Sequence, residues 1–214
     1  MRHFINPAIE AYACEHTSKP APVLQQLERT THLKVLLPQM ISGHVQGAVL
    51  RMISYMVQPK QVLEIGTFTG YATICLCAGL QKGGQVHTIE INEELTKIQT
   101  QAFETAGVQN LVQQYVGSAL EVIPEIDAIF DLVFIDADKR NNAAYFDMVL
   151  EKVRPGGFIL TDNILWKGKV LEKEMDKKTK FADHFNKKIH AHPMVENVLL
   201  PILDGIMIAR KLVS

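Results

Sequence analysis

The hydrophobic pattern of the chain changes near residue 60. Before that point apolar positions recur at helical spacing. Asn6-Pro7 suits a helix start, Pro20-Ala21-Pro22 breaks the run, a second helix is predicted from Leu24 to about Leu36, and Pro38 interrupts it. Ser42 is placed to cap a third helix, whose Val45, Val49, Met52, Ile53 and Met56 form one apolar stripe predicted to face a core. From Gln61 onward short apolar runs alternate with helical stretches. Residues 61–65, 85–91, 111–116, 130–135 and 157–161 read as strands, and 71–80, 93–106, 118–123 and 142–153 as helices between them. Such units in series predict a parallel sheet covered on both faces. The tail departs from that rhythm. Residues 195–200 and 206–211 are apolar runs separated only by Pro201-Ile202-Leu203-Asp204-Gly205, too short a link for a crossover, so an antiparallel hairpin is predicted. The expected fold is therefore α/β, with a seven-stranded, mostly parallel sheet whose last strand is reversed.

The first of these strands ends in an informative turn. Val62-Leu63-Glu64-Ile65-Gly66-Thr67-Phe68-Thr69-Gly70-Tyr71 passes from a buried-strand pattern through glycines into a helix, and Glu90 closes the next apolar run. That grammar suits a nucleotide-like ligand, with the acid past the second strand able to hold a pair of ribose hydroxyls. Glycine spacing narrows the class. A dinucleotide fingerprint counted from Gly66 wants glycine at 68 and 71, where the backbone must touch a pyrophosphate, and the chain has Phe68 and Tyr71 instead. An adenosyl ligand without phosphate fits better.

Composition sets the outer bounds. A chain of 214 residues with 47% hydrophobic content suffices for one well-cored domain, and no Pro- or Ser-rich linker points to a second. We expect a single domain over 1–214, with N-terminal helices over 1–58 forming a lid or dimer region and an α/β core over 59–214. The net charge of -1 comes from interspersed acids and bases, which gives no broad electrostatic case for nucleic acid or an anionic membrane. The first residues lack a signal-like apolar stretch, and no apolar run approaches the roughly 20 residues of a spanning helix, so a soluble, cytoplasmic protein is expected. Cys14, Cys75 and Cys77 make an odd count, with the close pair pointing to nearly opposite faces of a helix; all three are expected to be reduced packing residues. The lysine-rich stretch 167–188 reads as a solvated helix face and loop.

In open α/β sheets ligands lie outside the carboxyl ends of the strands, so the polar residues after each apolar run are the candidate site. Five stations stand there: Gly66 to Gly70 with Glu64 just before them, Glu90, Gly117-Ser118-Ala119, Asp136-Ala137-Asp138-Lys139, and Asp162-Asn163. If the fourth and fifth strands are neighbours, Asp136, Asp162 and Asn163 meet at one rim. Three hard oxygen donors without thiolate or imidazole suit magnesium, manganese or calcium and disfavour zinc. The same residues also read as a helix cap and a turn out of a strand, and spacing alone does not choose between the two. Lys139, three residues beyond Asp136, would reach a substrate hydroxyl held at such an ion and is a candidate general base, although a loop lysine is ordinarily solvent-exposed.

These segments resemble the metal-dependent, S-adenosylmethionine-using O-methyltransferases, the family that contains catechol O-methyltransferase and the caffeoyl-CoA O-methyltransferases. The similarity runs from about Met40 to Lys211 and is carried by 63–71, 134–139, 156–163, Leu165-Trp166-Lys167-Gly168 and Asp204-Gly205. The Asp-Ala-Asp-Lys and Asp-Asn-x-Leu-Trp runs look closer to the caffeoyl-CoA branch and its bacterial relatives than to the catechol enzyme. The resemblance implies a Rossmann-like class I methyltransferase fold with helices on both faces of the sheet. It implies that Glu64, Gly66 and Thr67 line the methionine part of the cofactor, Glu90 takes the ribose hydroxyls, Ser118 and Ala119 approach the adenine, Asp138 contacts the methionine end, and Ser42 closes over it. Asp136, Asp162 and Asn163 would carry the metal, with Lys139 and Asp136 at the catalytic centre. Ala72 stands where family members often have serine, so a backbone amide or another side chain must replace that hydroxyl at the cofactor carboxylate.

The acceptor implied is a catechol-like vicinal diol, methylated on one hydroxyl, and the family habit implies a homodimer. Phe4, Tyr12, Met40 and Ile41 are expected to close the substrate mouth. Trp166 is expected either as an aromatic wall or as an indole packed under its loop, and His44 as a capping or surface residue. Two rival classes share the architecture. A nicotinamide-dependent dehydrogenase is opposed by Phe68 and Tyr71 and by the lack of a Tyr-x-x-x-Lys pair at the catalytic place. A non-catalytic binding module would bind the cofactor without transferring its methyl group.

Overall fold

The computed structural model describes residues 6–213, and Phe4 lies outside the described residues. Seven strands form one sheet: β1 (Gln61–Ile65), β2 (Gln85–Glu90), β3 (Val112–Val116), β4 (Phe130–Ile135), β5 (Val153–Asp162), β6 (Val195–Leu200) and β7 (Ile206–Lys211). Their order is β3-β2-β1-β4-β5-β7-β6, with β7 antiparallel to both neighbours and the other pairings parallel. The predicted hairpin is thus present, and its reversed strand is wedged between β5 and β6. This returns the 201–205 loop to the rim where β5 ends, with Ile206 paired to Asp162.

Alternation along the central strands separates two cores. Leu63, Ile65, Val133, Ile135 and Ile159 face α6 (Ala119–Glu125), α7 (Asn142–Lys152) and α8 (Lys177–His190), where Ile123, Phe146, Val149, Phe185 and Ile189 are fully enclosed. Val62, Val86, Leu132, Phe134 and Leu160 face the other way, against α2 (Pro22–Lys34), α3 (Gly43–Val57), α4 (Tyr71–Cys77) and α5 (Thr96–Ala106). Each fully buried Leu or Phe contributes about 1.5–3 kcal/mol, so β1 and β4, covered on both faces, anchor the fold. The lysine-rich segment forms the solvated helix expected of it: α8 turns Ala182, Phe185 and Ile189 inward, and the Asp176 carboxylate caps it by accepting from the Thr179 amide. Among the described residues no helix is long and apolar enough to cross a membrane.

Several expectations are corrected. The inward face of α3 carries Gln46, Gly47, Leu50 and Ser54, while Met52 and Met56, expected in the core stripe, are 51% and 75% exposed. The cause is close approach to α4. A Cβ on Gly47 would stand 2.5 Å from Tyr71 Cε1, and the Ser54 hydroxyl donates to the Leu76 carbonyl and accepts from the Gly79 amide. Small and polar residues therefore face inward, and the methionines are left outside. Ser42 occupies the position before α3 but makes no side-chain cap bond. Cys14 on α1 (Pro7–Glu15) is exposed and meets His44 Nδ1 at 3.1 Å, whereas Cys75 and Cys77 are buried and free as expected. β5 begins at Val153 directly after α7, four residues earlier than predicted, because Val153 pairs with Phe130 on β4 ahead of a register shift.

Candidate functional site

The tips of β1 and β4 touch at the glycine turn. Gly66 has φ +99°, and a Cβ there would lie 2.3 Å from the Asp136 carbonyl, so only glycine lets the two strand ends close to this distance. The Gly66 amide donates to the Ile89 carbonyl at 2.9 Å, and the Asp136 amide donates to the Ile65 carbonyl at 2.9 Å. Phe68, also at positive φ, donates its amide to Glu90 Oε2 at 2.8 Å, while Gln99 Nε2 donates to its carbonyl. Glu90 Oε1 accepts from the Asn92 amide. The acid expected to hold ribose hydroxyls is therefore already braced to the glycine turn from the neighbouring strand.

Glu64 lies behind this turn and is 0% exposed. Its Oε2 accepts from the hydroxyls of Thr73 and Thr88, its Oε1 has no partner, and the Thr88 hydroxyl also meets that of Thr67. Burial is the main cause that raises the Glu64 carboxyl from 4.5 to about 8. The carboxyl thus ties the start of α4 to β2 from inside the sheet. Ala72 is buried in the first turn of α4, Ala119 is buried at the start of α6, and Ser118 caps that helix by position without a side-chain bond.

At the neighbouring rim, β4 and β5 end in register, with Ile135 opposite Thr161, which sets Asp136 and Asp162 side by side. The Lys139 side chain is only 8% exposed. Its Nζ donates to the Asp162 carbonyl at 3.0 Å and lies 3.6 Å from Asp136 Oδ1. Unlike an ordinary loop lysine, it is enclosed between the two acids. Asp162 is 1% exposed; its Oδ2 accepts from Gln46 Nε2 at 2.6 Å, and its Oδ1 is buried with no partner. Burial, then the nearby Asp136 charge, pushes the Asp162 carboxyl well above the ordinary carboxylate range. Asn163 follows with φ +53°, turning the chain sharply out of the sheet. Among the described residues no three His, Cys, Asp or Glu side chains converge as a metal cluster; the set here is the interacting carboxylates of Asp136 and Asp162, with Asn163 next in the chain. An orphaned buried carboxylate oxygen in such a set is what a hard cation would complete, and Asp136, Asp162 and Asn163 could hold one.

Asp138 accepts from the Tyr145 hydroxyl at 2.8 Å and from the Asn141 backbone and side chain, which fixes it at the mouth of α7. The Trp166 loop is half-buried and pinned by the hairpin: the Leu165 amide donates to the Asp204 carbonyl at 2.9 Å and the Lys167 amide to Asp204 Oδ1. His44 ties α1 to α3 through Cys14 and the Ser18 carbonyl and takes no part in the acid cluster. A groove of about 150 Å³ between α2 and α5, lined by Gln26, Thr30, Lys34 and Gln101 among others, shares none of the rim residues. Sequence reasoning missed Gln46, Thr73, Thr88, Gln99 and Tyr145. Tyr145 had one available signal, lying seven residues past Asp138 on the helix that follows; Gln46 had none, because its partner is 116 residues away.

The family profile described as O-methyltransferase matches residues 14–212. The chain is similar to caffeoyl-CoA O-methyltransferase 1 of Arabidopsis thaliana, 33% identical over 180 residues that cover 78% of this chain and 70% of the plant protein. It is likewise similar to the catechol O-methyltransferase of Niastella koreensis, 32% identical over 174 residues covering 77% of this chain and 79% of that one. A crystal structure of the O-methyltransferase from Bacillus cereus in complex with SAH superposes with a TM-score of 0.88 at 31% identity, over 95% of this chain and 97% of that one. The chain spans 66 to 79% of the length of the curated relatives it matches. With the sheet order, the glycine turn braced by Glu90 and the paired acids at the neighbouring rim, these matches place the chain in the O-methyltransferase family, whose members of this class I fold use S-adenosylmethionine.

Proposed function

We propose that the protein transfers the methyl group of S-adenosylmethionine to one hydroxyl of a catechol-like vicinal diol, in a reaction that requires a divalent cation held by Asp136, Asp162 and Asn163. The observation that carries the metal reading is the Asp162 carboxylate, buried beside Asp136 with one oxygen unpartnered. Magnesium, with manganese or calcium as substitutes, is the ion class that oxygen donors of this kind favour.

The sulfonium donor supplies an already electrophilic methyl carbon, so the residues of the chain must place an acceptor oxygen in line with it and relieve that oxygen of its proton. A bound divalent cation supplies positive charge that favours the ionised form of a phenol, which otherwise titrates near pH 10. Lys139, enclosed between the two acids, stands where it would take the hydroxyl proton and steady the oxyanion. Gly66, Thr67, Glu90, Ser118, Ala119 and Asp138, with Glu64 and Ala72 behind them and Ser42 from the lid side, hold the cofactor in this reading. The glycine turn and Asp136 are in backbone contact, so donor and acceptor sides share one rim. Trp166 and the loop pinned by Asp204 flank the acceptor side.

The reading includes a homodimer formed through the N-terminal helices, supported by the exposed Met52, Tyr55 and Met56 on α3. It also includes a cytoplasmic location, supported by the free, buried Cys75 and Cys77. The test is a radiolabelled methyl-transfer screen over catechols, with and without magnesium. Asp162→Ala should abolish turnover and leave SAH affinity nearly unchanged; equal activity with and without a chelator would refute the metal role.

A further inference from the structure

Gln46 is buried, with 7% of its surface exposed, on the inward face of α3. Its amide reaches across from the N-terminal helices to the end of β5 and donates to Asp162 Oδ2 at 2.6 Å. The backbone carbonyl of the same aspartate accepts from Lys139 Nζ at 3.0 Å. Asp162 is therefore held at two points, its main chain and one carboxylate oxygen. The bond to Oδ2 opposes rotation of the carboxylate about its Cβ–Cγ bond, and the remaining oxygen, Oδ1, is the one left without a partner. An amide is the side chain this position needs, because it donates without adding a third negative charge beside Asp136 and Asp162.

We propose that Gln46 is a positioning residue for the divalent-cation site: by occupying Asp162 Oδ2 it selects Oδ1 as the donor atom and couples the packing of α3 on the core to cation binding. The inference rests on the metal reading above. Groups that orient a metal ligand without touching the metal commonly set affinity, and a ligand that binds one arrangement preferentially must stabilise that arrangement in return. Cation binding should therefore tighten α3, and loosening the Gln46 bond should weaken cation binding. No part of the cofactor needs to be involved.

The experiment measures Mn²⁺ binding by electron paramagnetic resonance on the SAH-loaded protein, comparing the parent with Gln46→Met, which keeps the length and apolar volume of the side chain but has no donor. The expected result is a Mn²⁺ Kd weakened by roughly 10- to 100-fold with SAH affinity unchanged. Equal Mn²⁺ affinity in both proteins overturns the proposal and leaves the metal reading intact. A parent that binds no Mn²⁺ overturns both. If Gln46→Met loses SAH affinity as well, hydrogen exchange of the parent decides: amides of residues 43–57 should exchange more slowly with Mn²⁺ than without it, and exchange indifferent to the ion overturns the coupling.

Discussion

Replacing Glu64 with glutamine should flatten the pH dependence of folding in the cofactor-free protein. The Glu64 carboxyl is fully enclosed, has one oxygen with no partner, and is raised by burial from 4.5 to about 8. A carboxyl whose folded pKa exceeds its unfolded value keeps its proton longer in the folded chain. Its effect on stability is therefore most favourable below pH 4.5, is lost progressively as pH rises, and levels off above about 8. Each pKa unit corresponds to about 1.4 kcal/mol, so the whole window is worth about 5 kcal/mol and the step from pH 6 to pH 8 about 2 kcal/mol. With a urea slope of about 2 kcal/mol per M, that step moves the midpoint down by about 1 M. Asp162 shifts in the same direction and contributes to the parent's slope, which is why the comparison must be between the parent and Glu64→Gln. The assay is urea unfolding followed by circular dichroism at pH 6 and pH 8. Loss of the same stability by parent and Glu64→Gln over this step would show that Glu64 does not carry the buried proton assigned to it.

Gly66→Ala would place a methyl group 2.3 Å from the Asp136 carbonyl at a residue with φ +99°, and should cost about 2 to 4 kcal/mol, lowering Tm by roughly 5 to 15 °C and weakening SAH binding. A calorimetric scan that finds Tm unchanged refutes the pinch between β1 and β4. Maleimide should label Cys14 alone in the native protein and all three cysteines after denaturation, since burial pushes the thiols of Cys75 and Cys77 up to about 12; peptide mapping that finds either of them modified in the native state counts against their enclosure. Sedimentation velocity should give a dimer for the parent and a monomer when Tyr55 and Met56 are both replaced by glutamate; a monomeric parent removes the proposed interface.

The sheet was legible because a strand covered on both faces must be apolar at nearly every position, a signal that Val62 to Ile65 and Leu132 to Ile135 give without help from the rest of the chain. Turn chemistry was legible for the same local reason: Gly66, Asp136 and Asp162-Asn163 are punctuation marks at strand ends, and the structure brings the two acids together because β4 and β5 are neighbours in register. The helix stripe failed on α3 because hydrophobicity reports what prefers burial, whereas packing against Tyr71 and Leu76 required small residues, and Gly47 and Ser54 gave the closer fit. Gln46 was invisible for a different reason. A polar residue on a helix has no local mark that distinguishes a solvated amide from one aimed at a carboxylate far along the chain. Glu64 was expected at the methionine part of the cofactor, and only the hydroxyls of Thr73 and Thr88 reveal how deeply it is held.

The wedge position of β7 carries a consequence for biosynthesis. It is the last of the seven strands in sequence, yet it fills the gap between β5 and β6, and the loop that leads into it pins the segment around Leu165 and Lys167. A nascent chain can pair β1 to β5 and form the glycine turn while translation continues, but the rim at the end of β5 has no frame until β7 emerges and slides into its slot. Arrested chains ending before residue 206 should thus fold far enough to recognise SAH and still present β5 as a bare edge, the surface on which a chaperone or a sister chain would find purchase.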